Sequence, residues 1–223
     1  MKFYDMHVPS EDLNKTAELA KALGWSGLVF TQKWNGAVKL EGLKKELKKI
    51  SGIDCSAGVL VDEKNIGGMQ KRVKSIRRQA ELVIVRSGNL DFNREVLEIP
   101  EPDILSGSDI QINHVMAGLA RKNNVAIEFN FHDLVSSYKK SRERIFAGMV
   151  ENAKFIRKYK APFVITSGAM DPWDIRSPQD LLSFGRLLGF QDPQIKKAMS
   201  GSALTENRKR LSGKWIAPGI ELE

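Results

Sequence analysis

Cysteine is almost missing from this 223-residue chain, where Cys55 stands alone. One thiol excludes an internal disulfide and a multi-cysteine zinc site, and it suits a reducing compartment, so a cytoplasmic setting is expected. Histidine is scarce as well, with three residues, His7, His114 and His132. Long apolar runs are absent, which leaves nothing to span a bilayer, and the amino terminus opens on strand-like sequence without the segments of a signal peptide. Acidic charge is the minority sign. The 27 Asp and Glu face 35 Lys and Arg, for a net charge of +8, which favours polyanionic partners such as RNA, DNA or a lipid surface. Neither G-x-G-x-x-G nor a P-loop follows any apolar run, which argues against a nucleotide-binding doubly wound sheet.

What is present is a regular alternation. Hydrophobic residues make up 42% of the chain, enough for one sizeable core, and the spacing predicts a single domain over residues 1–211. Residues 212–223 carry no periodicity and read as an extended or mobile tail. The opening strand ends at Pro9, and Ser10, followed by Glu11 and Asp12, reads as a helix start. Apolar residues at helical spacing then run to Gly24. Further strands are expected near residues 27–30, 53–61, 82–85, 104–105, 125–130 and 163–165, separated by helical stripes, the longest over 139–159. Residues 87–102, punctuated by Gly88, Pro100 and Pro102, read as an irregular connection, and Phe131-His132-Asp133 as a loop. Seven strands alternating with helices imply a parallel α/β sheet, best closed as a TIM-like (β/α) barrel with fewer than eight regular strands.

In such a barrel the chemistry sits on the loops after the strands. Asp5 and His7, two residues apart in a strand, should share one face. With Glu128 and His132 they form a candidate metal-phosphoesterase site that would activate water against a phosphate. The plainer reading is that these are satisfied polar residues, common at strand ends in any barrel of this size.

Four segments resemble the metal-binding strands of the polymerase-and-histidinol-phosphatase (PHP) class of barrels: Asp5-Met6-His7, Glu81 to Gly88, Val125 to Asn130 and Phe163 to Met170. The resemblance also marks what has changed. Asp5 stands at the first His of that class's His-x-His, Gly88 stands where a His is expected, and Ser167-Gly168-Ala169-Met170 replaces Ser-Asp-Ala-His. These departures, with Tyr4-Asp5-Met6-His7-Val8-Pro9, Ala126-Ile127-Glu128-Phe129, Val164 to Ala169 and Asp174-Ile175-Arg176-Ser177-Pro178, resemble ribonuclease P protein component 3, the archaeal and eukaryotic thirty-kilodalton subunit family. That resemblance implies a non-catalytic subunit that pairs with protein component 2 and the other ribonuclease P proteins. It would bind the catalytic RNA that removes the 5′ leader from precursor tRNA, meeting that substrate indirectly and no membrane. It also implies no catalytic residue, no metal and no cofactor on this chain, Mg2+ serving the RNA, and a vestigial pocket of Asp5, His7 and Glu128.

Function then shifts to the basic surface. Arg86, His114, Arg121, Lys122 and Arg176 are the RNA-contact candidates. Arg176 directly precedes the Ser177-Pro178 helix start and could share a phosphate with its N–H groups, or pair with Asp171 or Asp174. Trp25, Trp34, Trp173 and Trp215 are not interleaved with basic residues, so recognition reads as shape and phosphate based. Phe92, Val96 and Leu97 are the candidate exposed apolar positions for docking a partner protein.

Overall fold

The computed structural model describes residues 2–212 and two short strands beyond them, 215–217 and 220–221. Seven strands, β1 (Tyr4–Val8), β2 (Gly27–Lys33), β3 (Asp54–Val61), β4 (Leu82–Arg86), β5 (Ile104–Ser106), β6 (Ala126–Asn130) and β7 (Phe163–Thr166), pair in chain order and in parallel. Parallel strands covered on both faces need apolar residues on both, and the Leu-Val-Ile-Val run of β4 meets that need. Leu82 and Ile84 face the barrel interior with Met6, Val29, Ile104, Ala126 and Val164, while Val83 and Val85 join the outer core under the helices.

The outer layer comprises α1 (Leu13–Ala22), α2 (Ala37–Leu47), α3 (Ile66–Ile76), α4 (Leu90–Glu98), α5 (His114–Asn123), α6 (Phe131–Val135), α7 (Lys139–Tyr159), α8 (Pro178–Leu187), α9 (Asp192–Ala198) and α10 (Ser202–Leu211). The segment expected to be irregular holds α4. Asn89 caps it by accepting the Phe92 N–H at 2.9 Å, and it buries Phe92, Val96 and Leu97, so these residues offer no docking surface. The expected loop at Phe131 is likewise the short helix α6. Asp12, not Ser10, caps α1 and accepts the Lys15 N–H, because the Ser10 hydroxyl is engaged with Thr16 at 2.8 Å. β8 (Trp215–Ala217) and β9 (Ile220–Glu221) pair antiparallel. The rest of the expected extended tail lies outside the described residues.

β1 and β7 are the edges of the sheet and meet across a seam. No ladder closes it: both carboxylate oxygens of Asp5 accept the Ser167 N–H, at 3.1 and 3.3 Å. At the opposite end α10 plugs the barrel, inserting Leu204 into the interior cluster. Arg208 grips Asp54 through two nitrogens at 2.7 and 2.8 Å and reaches Glu81 and Ser56. Arg77, 8% exposed, pairs with Asp103 at 2.6 Å and with Asn207 of the plug. None of the helices among the described residues is long and apolar enough to cross a membrane.

Candidate functional site

The barrel mouth, at the carboxyl ends of the strands, gathers a buried polar cluster. Asp5 registers with Leu28 and Val8 with Phe30, so Met6 and His7 together oppose the single Val29. This bulge overturns the same-face expectation. It turns His7 inward, where Nδ1 lies 2.8 Å from Glu128 Oε1, and leaves Asp5 at the seam, touching His7 through its backbone N–H at 3.4 Å. The Thr166 hydroxyl donates to the same Glu128 oxygen at 2.6 Å.

The electrostatics follow from burial. Glu128 is 4% exposed, which alone would raise its pKa, but the charge and hydrogen bond of His7 outweigh that and hold the carboxyl below its ordinary value. Burial would lower His7; the Glu128 charge reverses this and raises it, so the two form a buried ion pair. Asp5 is pushed up to about 6 by burial, against the pull of its N–H donors. Asp133 is also pushed up to about 6, by burial and by the nearby Glu128 charge.

Asp5 therefore binds its proton more tightly folded than unfolded, with about 6 against 3.8. Its stabilising contribution is complete below about pH 4 and lost as the pH rises through 6, where a buried carboxylate must ionise. Asp5→Asn, whose amide oxygen still accepts the Ser167 N–H, is expected to be the more stable protein at pH 8 by up to about 3 kcal/mol. That gap should close towards pH 4 in denaturant titrations. A gap independent of pH would remove Asp5 as a titrating group.

The candidate metal ligands are engaged with protein partners. His7 Nδ1 faces Glu128, the Asp5 carboxylate clasps the seam, and His132 has turned its Nδ1 towards Asp174 at 3.5 Å. Where the PHP class carries further ligands, the glycines of this chain stand close to neighbouring side chains. A Cβ at Gly88 would press the Phe92 ring at 3.1 Å, and one at Gly168, where φ is +64°, would overlap the Asn130 carboxamide. No group of three or more His, Cys, Asp or Glu residues suited to a metal occurs among the described residues.

The five basic candidates do not converge on one point. Arg86 ends β4 at the mouth, 3.7 Å from Asp62. Arg176 donates to the Trp173 carbonyl at 3.2 Å, while Asp171 and Asp174 cap the turn before it instead of pairing with it. His114, Arg121 and Lys122 run down the exposed side of α5, from its first residue to its last turn, about 12 Å apart along the helix axis at the extremes. The His114 ring lies 6.4 Å from that of Tyr159, beside Lys158. Arg121 then rims a cavity of about 720 Å³ at the amino ends of β5, β6 and β7, shared with Arg157, Lys160 and Lys197. Lys160 and Lys197 carried no signal in the sequence beyond their charge. Trp173 nevertheless has a cation close in space: Lys15 Nζ sits 4.7 Å from the centre of its ring, a contact between residues far apart in the chain. The Trp215 side chain lies outside the described residues.

The family model for the RNase P subunit p30 matches residues 2–211. The ribonuclease P protein component 3 of Methanococcus maripaludis strain C7 is 36% identical over 204 residues, 86% of this chain and 83% of the relative. The protein of that name from Methanothermobacter thermautotrophicus is 30% identical over 214 residues, 91% of this chain and 87% of the relative. A chain in a structure of archaeal ribonuclease P with mature tRNA superposes with a TM-score of 0.82 at 26% identity, covering 96% of this chain and 94% of that one. A prolidase-like protein from Bifidobacterium longum, 11% identical with a TM-score of 0.58, shares the fold alone. The match spans the barrel from β1 through α10, the seam and plug included, and the chain belongs to the RNase P subunit p30 family.

Proposed function

We propose that this chain is a non-catalytic protein subunit of ribonuclease P, binding and stabilising the catalytic RNA that removes the 5′ leader from precursor tRNA. The match across residues 2–211 carries this reading, with relatives bearing the name of a ribonuclease P component. Its partners are the ribonuclease P RNA, protein component 2 and the other holoenzyme proteins, and its setting is the cytoplasm. Mg2+ serves the RNA rather than this chain.

Two physical features support it. The chain carries a net charge of +8, and Arg121 and Lys122 on α5, Arg157 and Lys158 at the end of α7 and Arg86 at the mouth are among the cations that could meet phosphates. The residues a PHP phosphoesterase would use for its cation are engaged with one another or replaced. Metal analysis of protein purified without chelator is expected to give less than stoichiometric zinc or manganese, and chelation should leave thermal stability unchanged. A full equivalent of metal with phosphatase activity on a model ester would favour the phosphoesterase instead.

Purification of the tagged chain from its native cell, followed by sequencing of the bound RNA, tests the assignment. Enrichment of ribonuclease P RNA is expected; a broad set of unrelated RNAs would make the chain a general RNA-binding scaffold.

A further inference from the structure

We propose that the loops leaving β6 and β7 form a stacking site for unpaired bases of an RNA strand. Trp173 and Tyr138 are the base platforms, and Lys15, Arg176 and Lys139 are the phosphate contacts. The inference rests on the ribonuclease P reading above.

The two rings are among the most exposed large side chains described, 68% for Trp173 and 70% for Tyr138. Each carries a cation, Lys15 Nζ at 4.7 Å from the Trp173 ring centre and Lys139 Nζ at 5.0 Å from that of Tyr138. The indole is held outward by its backbone. Trp173 belongs to a single turn of 3-10 helix, Pro172–Asp174, anchored by the buried Pro172. Asp171 accepts the Trp173 N–H at 2.7 Å, and Asp174 accepts the N–H groups of Met170 and Asp171 at 3.2 and 3.3 Å. The chain after the turn is fixed too: the Trp25 indole N–H donates to the Arg176 carbonyl at 2.8 Å. The His132 N–H donates to the Ser167 carbonyl at 3.0 Å, and its ring approaches Asp174, so the loop leading to Tyr138 is tied to the one carrying Trp173.

Each cation covers one face of its ring, and at 68% and 70% exposure the rings keep further surface for a base, with the cation at hand for its phosphate, as in sites that hold single-stranded nucleic acid. The nearby carboxylates Asp12, Asp171 and Asp174 cap backbone N–H groups and make no ion pair with Lys15 or Arg176 among the described residues. Arg176 donates through Nη1 to the Trp173 carbonyl, and its five-donor fork has capacity left for a phosphate. A protein partner would need an apolar collar to close over the indole. Here the rim is Lys15, Arg176, Asp171 and Asp174 with the exposed Met170, more charged than a hydrophobic interface core, and its two cations are what would meet an RNA phosphate.

The test compares Trp173→Leu, Trp173→Phe, Tyr138→Leu and Tyr138→Phe with wild type, each assembled with component 2 and titrated with ribonuclease P RNA. Both rings are at the surface, so the variants are expected to unfold at the wild-type temperature. Each Leu variant should lose about tenfold in RNA affinity, within the roughly 5- to 150-fold that one stacked base is worth. The Phe variants should keep most of it, and the salt slope should not change, because every phosphate keeps its cation. RNA should also quench a fluorescence component that Trp173→Phe lacks. Leu variants that bind like a wild type of steep salt dependence would overturn the stacking site and leave the ribonuclease P role standing. Weakened binding of component 2 with intact RNA affinity would make the patch a protein-docking surface and overturn the proposal. A wild type that does not bind the RNA at all would sink the ribonuclease P reading and this inference together.

Discussion

Raising salt from about 50 to about 200 mM is expected to weaken binding of this chain, with component 2, to ribonuclease P RNA by about 10³-fold if six phosphates are neutralised. Each neutralised phosphate releases its counterion, and the affinity falls by about one decade per decade of salt for each. Arg121, Lys122 and Lys158 on the α5–α7 face, with Arg86, Arg176, Lys15 and Lys139 at the mouth, supply enough cations for six contacts. Arg121→Ala with Lys122→Ala should flatten the salt slope by about two, since each cation taken from a phosphate lowers it by about one. Arg86→Ala with Arg176→Ala should reduce activation of the RNA while the fold persists, because Arg86 is half exposed and makes a long surface pair with Asp62. A response flat in salt would leave the positive charge as ordinary solvated surface.

Arg77→Ala is expected to destabilise the protein by about 3–5 kcal/mol, the range for breaking a buried ion pair from one side. Asp103 stays behind, 11% exposed at its side chain, keeping the Val83 N–H and an Asn207 N–H as donors and the Arg210 charge nearby. Asn207 in turn loses the guanidinium that fixes it, and with it one of the links from α10 to the amino ends of β4 and β5. For a chain of this size that loss should lower the midpoint of thermal unfolding by about 10 °C. A shift of a degree or two would mean that water compensates Asp103 and that Arg208, Leu204 and the remaining Asn207 bonds suffice to hold the plug.

The elements that were legible in the sequence are those whose pattern is self-contained. The run at Leu82–Val85 announces a strand buried on both faces, and the stripe through Met149, Ala153 and Ile156 announces α7. α4 was hidden because Gly88, Pro100 and Pro102 bracket it closely and its apolar face is three residues wide. The bulge in β1 could not be read at all, since it depends on how that strand registers against β2, and it alone separates Asp5 from His7. His7 and Glu128 were identifiable as polar residues at strand ends, but their pairing is set by closure of the barrel. The departures from the PHP pattern were visible as substitutions; the neighbours of the two glycines, Phe92 beside Gly88 and Asn130 beside Gly168, were not. Lys15 over Trp173 joins α1 to the loop after β7, a pairing that no local pattern carries.

Reconstitution by omission tests the central claim most directly. Ribonuclease P RNA and its proteins are assembled with and without this chain, and cleavage of the 5′ leader from precursor tRNA is measured at limiting Mg2+. The account predicts that adding the chain with component 2 raises the cleavage rate, that the chain alone cleaves nothing, and that Glu128→Gln, at the heart of the mouth cluster, still stimulates if folded. Cleavage at the same rate with or without the chain, or leader removal by the chain in the absence of RNA, would contradict it.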